Sequence, residues 1–468
     1  MYNFQFNNLG SISKGNIELG KITILCGENN TGKTYASYGI YGLLKRLGRL
    51  KGHYELNAKE LLEKKTTTID LRKTVNLFND SLAVLSETFS EQLYELFGTN
   101  KEFFKGSKIR VTTDIENEPL GKNILEEAIK FNISFNDETL ICAVNKKAGE
   151  YEVHVSLVNF EDNEQEKVKF FVRLVKQFIK DRLDKALFKT LPTKPFILPA
   201  ERAGLNLFHN ELNKNRNEIV RELSVSLLND EEDFSEIRKS VSSYALPISD
   251  YIAFLNDKDT LKKEESEFST IGVEMQKKIL KGTYYVDDQS IYFRPANSFQ
   301  ENAKNINLHV SSSTVKTMFG MDFYLNHIAQ RGQFLIIDEP ELNLHPDNQR
   351  KIARILAKMA NKGINVVIST HSDYIIKELN NLIMLSNEFK SKLDVMNRYG
   401  YEESEILNPN DVLAYMFKDN EIQQMEISEE GIVAVTFDEV INAYNMAADD
   451  IFYTLEEEKE LQGENEVE

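Results

Sequence analysis

Residues 22–34 read Ile-Thr-Ile-Leu-Cys-Gly-Glu-Asn-Asn-Thr-Gly-Lys-Thr, and the fold is inferred first from this segment. A short β-rich run at 22–25 leads into 27–34, which fits the pattern GxxxxGK[ST]. Residues 35–48 then carry apolar side chains at helical spacing. A glycine loop between a strand and a helix points backbone N–H groups, and the positive end of the helix dipole, at a phosphate.

The sequence therefore predicts a phosphate loop at 27–34. Lys33 is expected to reach the β- and γ-phosphates of a nucleotide, and the Thr34 hydroxyl is expected to hold Mg²⁺. The alternative is a glycine-rich turn that only resembles the motif, and the flanking strand and helix disfavour it.

A second apolar run, at 334–337, ends in two carboxylates, Asp338 and Glu339. A strand that is apolar on both faces suits the centre of a parallel sheet, and such sheets bind ligands at the carboxyl ends of their strands. Asp338 is therefore expected to bind Mg²⁺ through water, and Glu339 to polarise the attacking water. A third β-rich run ends at His371, which could contact the γ-phosphate or that water, although a single histidine is more often structural.

These motifs together resemble a known family. The run Asp-Glu-Pro-Glu-Leu-Asn-Leu-His-Pro at 338–346, followed by Ser-Thr-His-Ser at 369–372, is similar to the RecF/OLD/SMC-like branch of ABC-type ATPases. The resemblance covers about 20–45 and 308–382. It implies a head domain that binds ATP and Mg²⁺ between two copies of itself. It also implies that 341–345 is the D-loop, which meets its twin across the dimer, and that His371 is the switch histidine.

The resemblance further implies a signature serine that reaches the γ-phosphate bound by the partner copy. Ser312 is assigned this role, and Ser313 stands where a glycine is usual. From the residues alone, serines at the start of a helix are ordinary N-caps. Arg202, after a short strand at 196–198, is expected to contact the nucleotide, and a surface arginine is the alternative.

The predicted site residues fall into three groups. Lys33, Glu339 and His371 are assigned to catalysis, and Thr34 and Asp338 to the metal ion. The residues expected to bind the nucleotide are Gly27, Asn29, Asn30, Thr31, Gly32, Lys33, Thr34, Tyr35, Arg202, Ser312 and Ser313.

The predicted fold class is α/β. It is an ABC-ATPase head with a P-loop core sheet, an N-terminal antiparallel β lobe, a helical insert lobe without a long coiled coil, and a small C-terminal α+β cap. Period-two patterns predict strands within 108–158, 52–98 is predicted to be helical, and 283–294 is predicted to form a hairpin. The predicted units are 1–50 and 301–382 for the two halves of the core, 51–195 for the insert, 196–300 for a helical lobe, 383–455 for the cap and 456–468 for an acidic tail.

The net charge and composition of the chain bear on which partners and which compartment are expected for the protein. The 468 residues carry a net charge of −18, which disfavours charge-driven DNA binding on average but leaves a local basic groove open. Two distant cysteines indicate a reducing compartment, and no apolar run is long enough to span a bilayer. The protein is expected to be cytoplasmic, with no membrane partner.

By the same resemblance the chain is expected to act as an ATP-driven switch for a separate effector such as a nuclease or toxin. ATPase subunits of anti-phage systems such as PARIS or Septu are similar. The alternatives are a RecF-like DNA-repair ATPase, a transporter subunit and a scaffold that binds ATP without hydrolysis. Fewer than 100 residues follow His371, without a DxD after a strand, which disfavours a fused TOPRIM nuclease.

Overall fold

The structure is a computed structural model that describes residues 2–113, 119–134, 140–158, 165–188, 191, 195–212, 244–287, 290–296, 305–433 and 446–455. The predicted acidic tail lies outside these residues, as do residues 213–243. The strands are β1 Tyr2–Leu9, β2 Ile12–Glu18, β3 Ile22–Gly27, β4 Thr66–Asp70, β5 Lys108–Thr113, β6 Ile129–Ser134, β7 Leu140–Lys146, β8 Glu152–Leu157, β9 Phe196–Leu198, β10 Gly282–Val286, β11 Ile291–Pro295, β12 Ile306–Asn307, β13 Phe334–Asp338, β14 Asn365–Thr370, β15 Val412–Lys418, β16 Glu421–Gln424, β17 Ile427–Ser428 and β18 Gly431–Ile432.

The described helices fall between and after these strands. They are α1 Lys33–Leu47, α2 Ala58–Lys64, α3 Leu71–Glu91, α4 Leu93–Leu96, α5 Pro119–Glu126, α6 Gln165–Leu187, α7 202–212, α8 Leu246–Leu261, α9 Ser269–Met275, α10 Ser313–Phe323, α11 Pro346–Lys362, α12 Asp373–Met384, α13 Lys392–Tyr399 and α14 446–455. Short 3₁₀ or π turns occur at Lys101–Phe104, Gln276–Leu280, Leu308–Val310, Tyr324–Ile328, Glu403–Glu405 and Pro409–Asp411.

One nine-stranded sheet organises the molecule, in the order β5-β1-β2-β16-β15-β3-β14-β13-β9. The strands β15, β3, β14, β13 and β9 pair in parallel. The strands β5, β1 and β2 pair antiparallel and join the parallel part through β16. The predicted core sheet and N-terminal antiparallel lobe are thus confirmed, and they are continuous.

The sheet has a hydrophobic core on each of its two faces. Leu335 and Ile337 of β13 pack in the core that holds α10, α11 and α12, whereas Phe334 and Ile336 pack in the core that holds α1. Successive side chains of a strand point to opposite faces, so a strand covered on both sides must be apolar throughout. All five residues of β13 are accordingly buried.

The insert forms a second sheet, β4-β8-β7-β6, whose strands pair antiparallel. The strands predicted within 108–158 are confirmed. The prediction of helix throughout 52–98 is wrong at β4, where Thr67 pairs with Val155 of β8 and Ile69 with Val153. This pairing is long-range and leaves little local signal beyond the β-branched residues. Among the described residues the longest helix, α6, has 23 residues, in agreement with an insert that lacks a long coiled coil.

The described residues of 383–455 form both helices and strands, and two of these strands extend the main sheet. β15 lies directly beside β3, and β16 connects β15 to β2. The hairpin predicted at 283–294 is confirmed as β10 and β11. Residues 288–289, between the two strands, lie outside the described residues.

Candidate active site

Three neighbouring strands bring the sequence motifs to one edge of the sheet. β14 lies between β3 and β13, and it pairs Thr370 with Cys26 and Ser369 with Asp338. Since parallel strands end at the same edge, the phosphate loop, the two acids and His371 emerge side by side. They share a cavity of about 620 Å³. The predicted nucleotide-binding residues in its wall are Asn29, Asn30, Gly32, Lys33, Thr34 and Tyr35.

The phosphate loop needs its glycines for their backbone conformation and for space. Gly27 and Gly32 have φ angles of 143° and 105°, which residues other than glycine rarely adopt. A Cβ on Gly27 would lie 2.6 Å from the Phe417 carbonyl oxygen, and one on Gly32 would lie 2.6 Å from Ile12 Cγ1. A side chain at either position would clash with a neighbouring segment, so the loop keeps this backbone path only with glycine there.

Polar contacts hold the loop closed. The Thr31 hydroxyl donates to the Glu28 carbonyl at 2.8 Å, and the Lys33 ammonium donates to the carbonyls of Gly27 and Glu28 at 3.0 and 2.6 Å. Burial lowers the pKa of Lys33, whereas the nearby Asp338 carboxylate raises it. The ammonium is thus held across the loop, within the field of the acids.

Two hard oxygen donors lie beside each other where a magnesium ion would be needed. The Thr34 hydroxyl donates to Asp338 Oδ2 at 3.3 Å, and the Ser369 hydroxyl donates to Asp338 Oδ1. Asp338 is 2% exposed, and this burial raises the pKa of its carboxyl group while the Ser369 hydrogen bond lowers it. Mg²⁺ prefers oxygen ligands and usually keeps several waters. The residues present therefore fit MgATP, with Thr34 and Asp338 on the metal side.

Glu339 and His371 form the third part of the site. Glu339 has a φ of 50°, unusual for a residue other than glycine, and its backbone N–H donates to the Ser369 carbonyl at 3.1 Å. The Oε1 atom of Glu339 lies 3.9 Å from the Nε2 atom of His371. Burial and the Lys33 ammonium lower the pKa of His371, whereas the Glu339 carboxylate raises it. The net lowering of the His371 pKa favours the uncharged imidazole, which suits contact with a water molecule.

Arg202 lies behind the site and does not line the cavity. It is 3% exposed. One guanidinium nitrogen donates to the carbonyl oxygens of Asp338 at 2.6 Å and Pro199 at 3.0 Å, and the other donates to that of Glu339 at 2.6 Å. The nucleotide contact expected from the sequence is replaced by contacts to the backbone that carries both acids. The structure makes Arg202 a positioning residue.

Ser312 and Ser313 also lie away from the cavity of their own chain. Ser312 is the N-cap of α10, where its hydroxyl accepts a hydrogen bond from the Val315 N–H at 3.4 Å. Both serines are exposed. The preceding Val310 is 77% exposed, an unusual value for a valine. Within one chain, the structure therefore supports the N-cap interpretation, and it leaves the hydroxyl groups on an accessible, partly apolar surface.

The predicted D-loop at 341–345 contains two residues whose contacts the sequence did not predict. Glu341 Oε1 accepts hydrogen bonds from the Thr370 hydroxyl at 2.9 Å and the His371 N–H at 2.7 Å. Its other oxygen is buried and has no hydrogen-bond partner among the described residues. Burial raises the pKa of this carboxyl group. The only signal in the sequence is a carboxylate two residues beyond Glu339.

Asn343 connects the predicted D-loop to α10, the helix that Ser312 caps. Its carbonyl oxygen accepts a hydrogen bond from the Thr314 hydroxyl at 2.9 Å, and its side-chain amide donates to the Thr317 hydroxyl at 3.0 Å. The predicted D-loop thus contacts α10 through Asn343 and the backbone of His371 through Glu341.

A P-loop sheet with these three motifs at one edge, extended by an antiparallel lobe and an insert, defines the class as a nucleotide-binding ATPase with an ABC-type head fold. The chain belongs to the family described as "AAA ATPase domain", whose profile matches residues 1–376.

Solved structures to which the chain is similar include SMC head domains. One, from Pyrococcus furiosus, carries an extended coiled coil and is bound to the C-terminal domain of ScpA. It has 12% sequence identity and a TM-score of 0.32, covering 94% of this chain and 100% of that chain. Another, from Thermotoga maritima, has 9% identity and a TM-score of 0.28, covering 91% and 98%. The fold assignment follows instead from the strand order and the motif positions.

A comparison with curated protein sequences gives no significant match. Among the described helices, none is both long enough and apolar enough to cross a bilayer.

Proposed function

We propose that the chain binds MgATP at the phosphate loop and hydrolyses it. One observation carries this proposal: Lys33, the Thr34–Asp338 pair and the Glu339–His371 pair surround a single cavity. Each group has the chemistry that phosphoryl transfer requires, namely a cation for phosphate oxygens, oxygen ligands for the metal and a base for water.

The residues divide the work of hydrolysis. Bound Mg²⁺ would neutralise charge on the phosphates, and the Lys33 ammonium adds a second positive charge on the loop side. The Glu339 carboxylate accepts a proton from the attacking water, and the neutral imidazole of His371 accepts a hydrogen bond that orients it. Arg202 fixes the backbone of Asp338 and Glu339, so these carboxylates require little reorganisation during the reaction.

We also propose that the complete site forms between two copies of the chain. Ser312 is exposed, lies outside its own cavity and is flanked by the exposed Val310, so it is available to a second molecule. ATP would then join the two copies, and loss of the γ-phosphate would let them separate. Such a switch depends on the difference in binding between the two states, so turnover can be slow.

The role of the switch follows from the family resemblance. We propose that opening and closing of the pair controls a separate effector, such as a nuclease or toxin in anti-phage defence. Genes adjacent to the one for this chain provide the test. A neighbouring nuclease or toxin gene is expected, and a neighbourhood of recombination and repair genes would favour the RecF-like alternative.

Nucleotide binding and phosphate release test the enzymatic proposal. The wild-type chain should release phosphate steadily from MgATP. Glu339→Gln should bind ATP normally but hydrolyse it slowly, because the amide cannot accept the proton, and Lys33→Ala should lose nucleotide affinity. Equal ATP affinity in the wild type and Lys33→Ala would contradict the proposal. Tight binding without any phosphate release would favour the scaffold alternative.

A further inference from the structure

Part of the cavity wall has no role in binding phosphate or metal. Gly10 and Ser11, from the turn between β1 and β2, line the cavity together with Tyr35 and Phe103. Phe103 comes from the insert and is 59% exposed, although its neighbour Phe104 is 5% exposed. A large aromatic ring thus faces the cavity from a segment outside the three motifs.

Aromatic packing holds the segment that carries Phe103. The rings of Phe97 and Phe104 are stacked with centroids 4.7 Å apart, and the Tyr35 ring meets each of them edge-on at 5.2 and 6.2 Å. The Phe103 ring lies at 78° to that of Phe104, at 4.9 Å. Because Tyr35 directly follows the phosphate loop, this cluster fixes the position of Phe103 relative to the loop.

Hydrogen bonds anchor both ends of the same segment. At its start, the Asn100 side chain accepts a hydrogen bond from the Glu102 N–H at 3.1 Å and caps the short helix Lys101–Phe104. At its end, the Ser107 hydroxyl donates to the Asn8 carbonyl, close to the turn that holds Gly10. The segment is therefore anchored to β1, next to the turn that contributes Gly10 and Ser11 to the cavity wall.

Gly10 brings the turn into close contact with Tyr35. It has a φ of 57°, and a Cβ at this position would lie 2.4 Å from the Tyr35 ring. The turn and the Tyr35 ring are therefore in close contact, and the exposed Phe103 ring belongs to the same wall of the cavity. A planar group that entered the cavity beside the phosphate loop would meet the face or edge of this ring.

We propose that Phe103 stacks on the base of the bound nucleoside triphosphate, so that the insert supplies the base contact of the site. This inference rests on the proposed function, since the phosphate loop must hold the triphosphate. Stacking uses the π-face that every base presents, and it does not read hydrogen-bond donors or acceptors. The contact should favour purines for their area and discriminate little between ATP and GTP.

The chain contains no tryptophan, so a substitution at Phe103 can act as its own reporter. In Phe103→Trp, MgATP should quench the fluorescence of the introduced indole, whereas magnesium tripolyphosphate, which has no base, should not. Phe389→Trp is the matched control, because Phe389 is 43% exposed and lines a different cavity. Its fluorescence should respond to neither ligand.

Calorimetry of Phe103→Ala completes the test. ATP affinity should fall about tenfold, within the range for a lost base–aromatic stack, and tripolyphosphate affinity should stay within about twofold of wild type. Phe103→Tyr should bind ATP like the wild type. Equal losses for both ligands, or no loss for either, would overturn the base contact alone. Failure of the wild type to bind either ligand would overturn the proposed function together with it.

Discussion

Replacement of Arg202 by methionine distinguishes a positioning role from direct contact with the nucleotide. The guanidinium is buried and donates three hydrogen bonds to backbone carbonyls, two of them at 2.6 Å. Methionine fills a similar volume without donating. We therefore expect the end of β13 to lose its support while the core remains packed.

The magnitude follows from these hydrogen bonds. Each hydrogen bond from a charged donor contributes about 1.5–3 kcal/mol net, so the two short ones account for about 3–6 kcal/mol. The variant recovers part of this free energy, because it no longer has to bury a charged guanidinium. The cost of desolvating that charge is also what lowers the pKa of Arg202. The free energy of unfolding should fall by about 2–4 kcal/mol. Displacement of the two acids should also lower kcat about tenfold.

Urea unfolding and ATP titration measure the two effects separately. The unfolding midpoint of Arg202→Met should drop, and the slope of the transition should not change. Arg331→Met is the control, since Arg331 is an arginine with a 69% exposed side chain on the surface, and its midpoint should move little. An unchanged midpoint with at least tenfold weaker ATP binding would refute the positioning role and restore a direct nucleotide contact.

Three further outcomes follow from individual contacts. Glu341→Ala removes the acceptor for the His371 N–H and should lower kcat about tenfold to a hundredfold with little change in ATP affinity. Glu341→Gln retains an acceptor oxygen and should recover most of the rate in the same phosphate-release assay. Gly32→Ala should abolish ATP binding in calorimetry and cost about 1–3 kcal/mol of stability in urea unfolding, because its φ is strained for alanine and its Cβ meets Ile12. Lys358 and Lys278 lower the pKa of Glu402 to about 2 in the folded state, so this residue stabilises the fold above about pH 4.5 and loses that effect as the pH falls towards 2. Because Glu402 is half exposed, Glu402→Gln should lower the free energy of unfolding by only about 1 kcal/mol or less at pH 7. The difference between the urea midpoints of the wild type and the variant should shrink by pH 3. A difference that does not change with pH would argue against the ion pairs.

The parts of the site that the sequence predicts are those that short motifs encode. The phosphate loop, Asp338, Glu339 and His371 each follow a β-rich run, and a parallel sheet places such positions at one edge. The structure brings all of them to one cavity. Local pattern and topology therefore suffice for this part of the site.

Other features depend on contacts between distant segments. Arg202 bonds to carbonyls that are 136 and 137 residues away, and backbone acceptors have no sequence signature. β4 is a short strand that lies between helices and pairs with the distant β8. β15 pairs with β3, although the two strands lie nearly 400 residues apart in the sequence. Phe103 reaches the cavity from the insert, whose role no motif indicated.

Mixing two inactive variants tests most directly whether the active site is shared between two copies. Lys33→Ala removes the phosphate contact, and Ser312→Asp keeps a good N-cap but places a negative charge where the partner's γ-phosphate would lie. Each variant alone should release almost no phosphate. In an equal mixture, half of the pairs should contain both variants, each with one intact site, so about one quarter of wild-type activity should return. A mixture as inactive as its components, or full activity of Ser312→Asp alone, would contradict a site built from two chains.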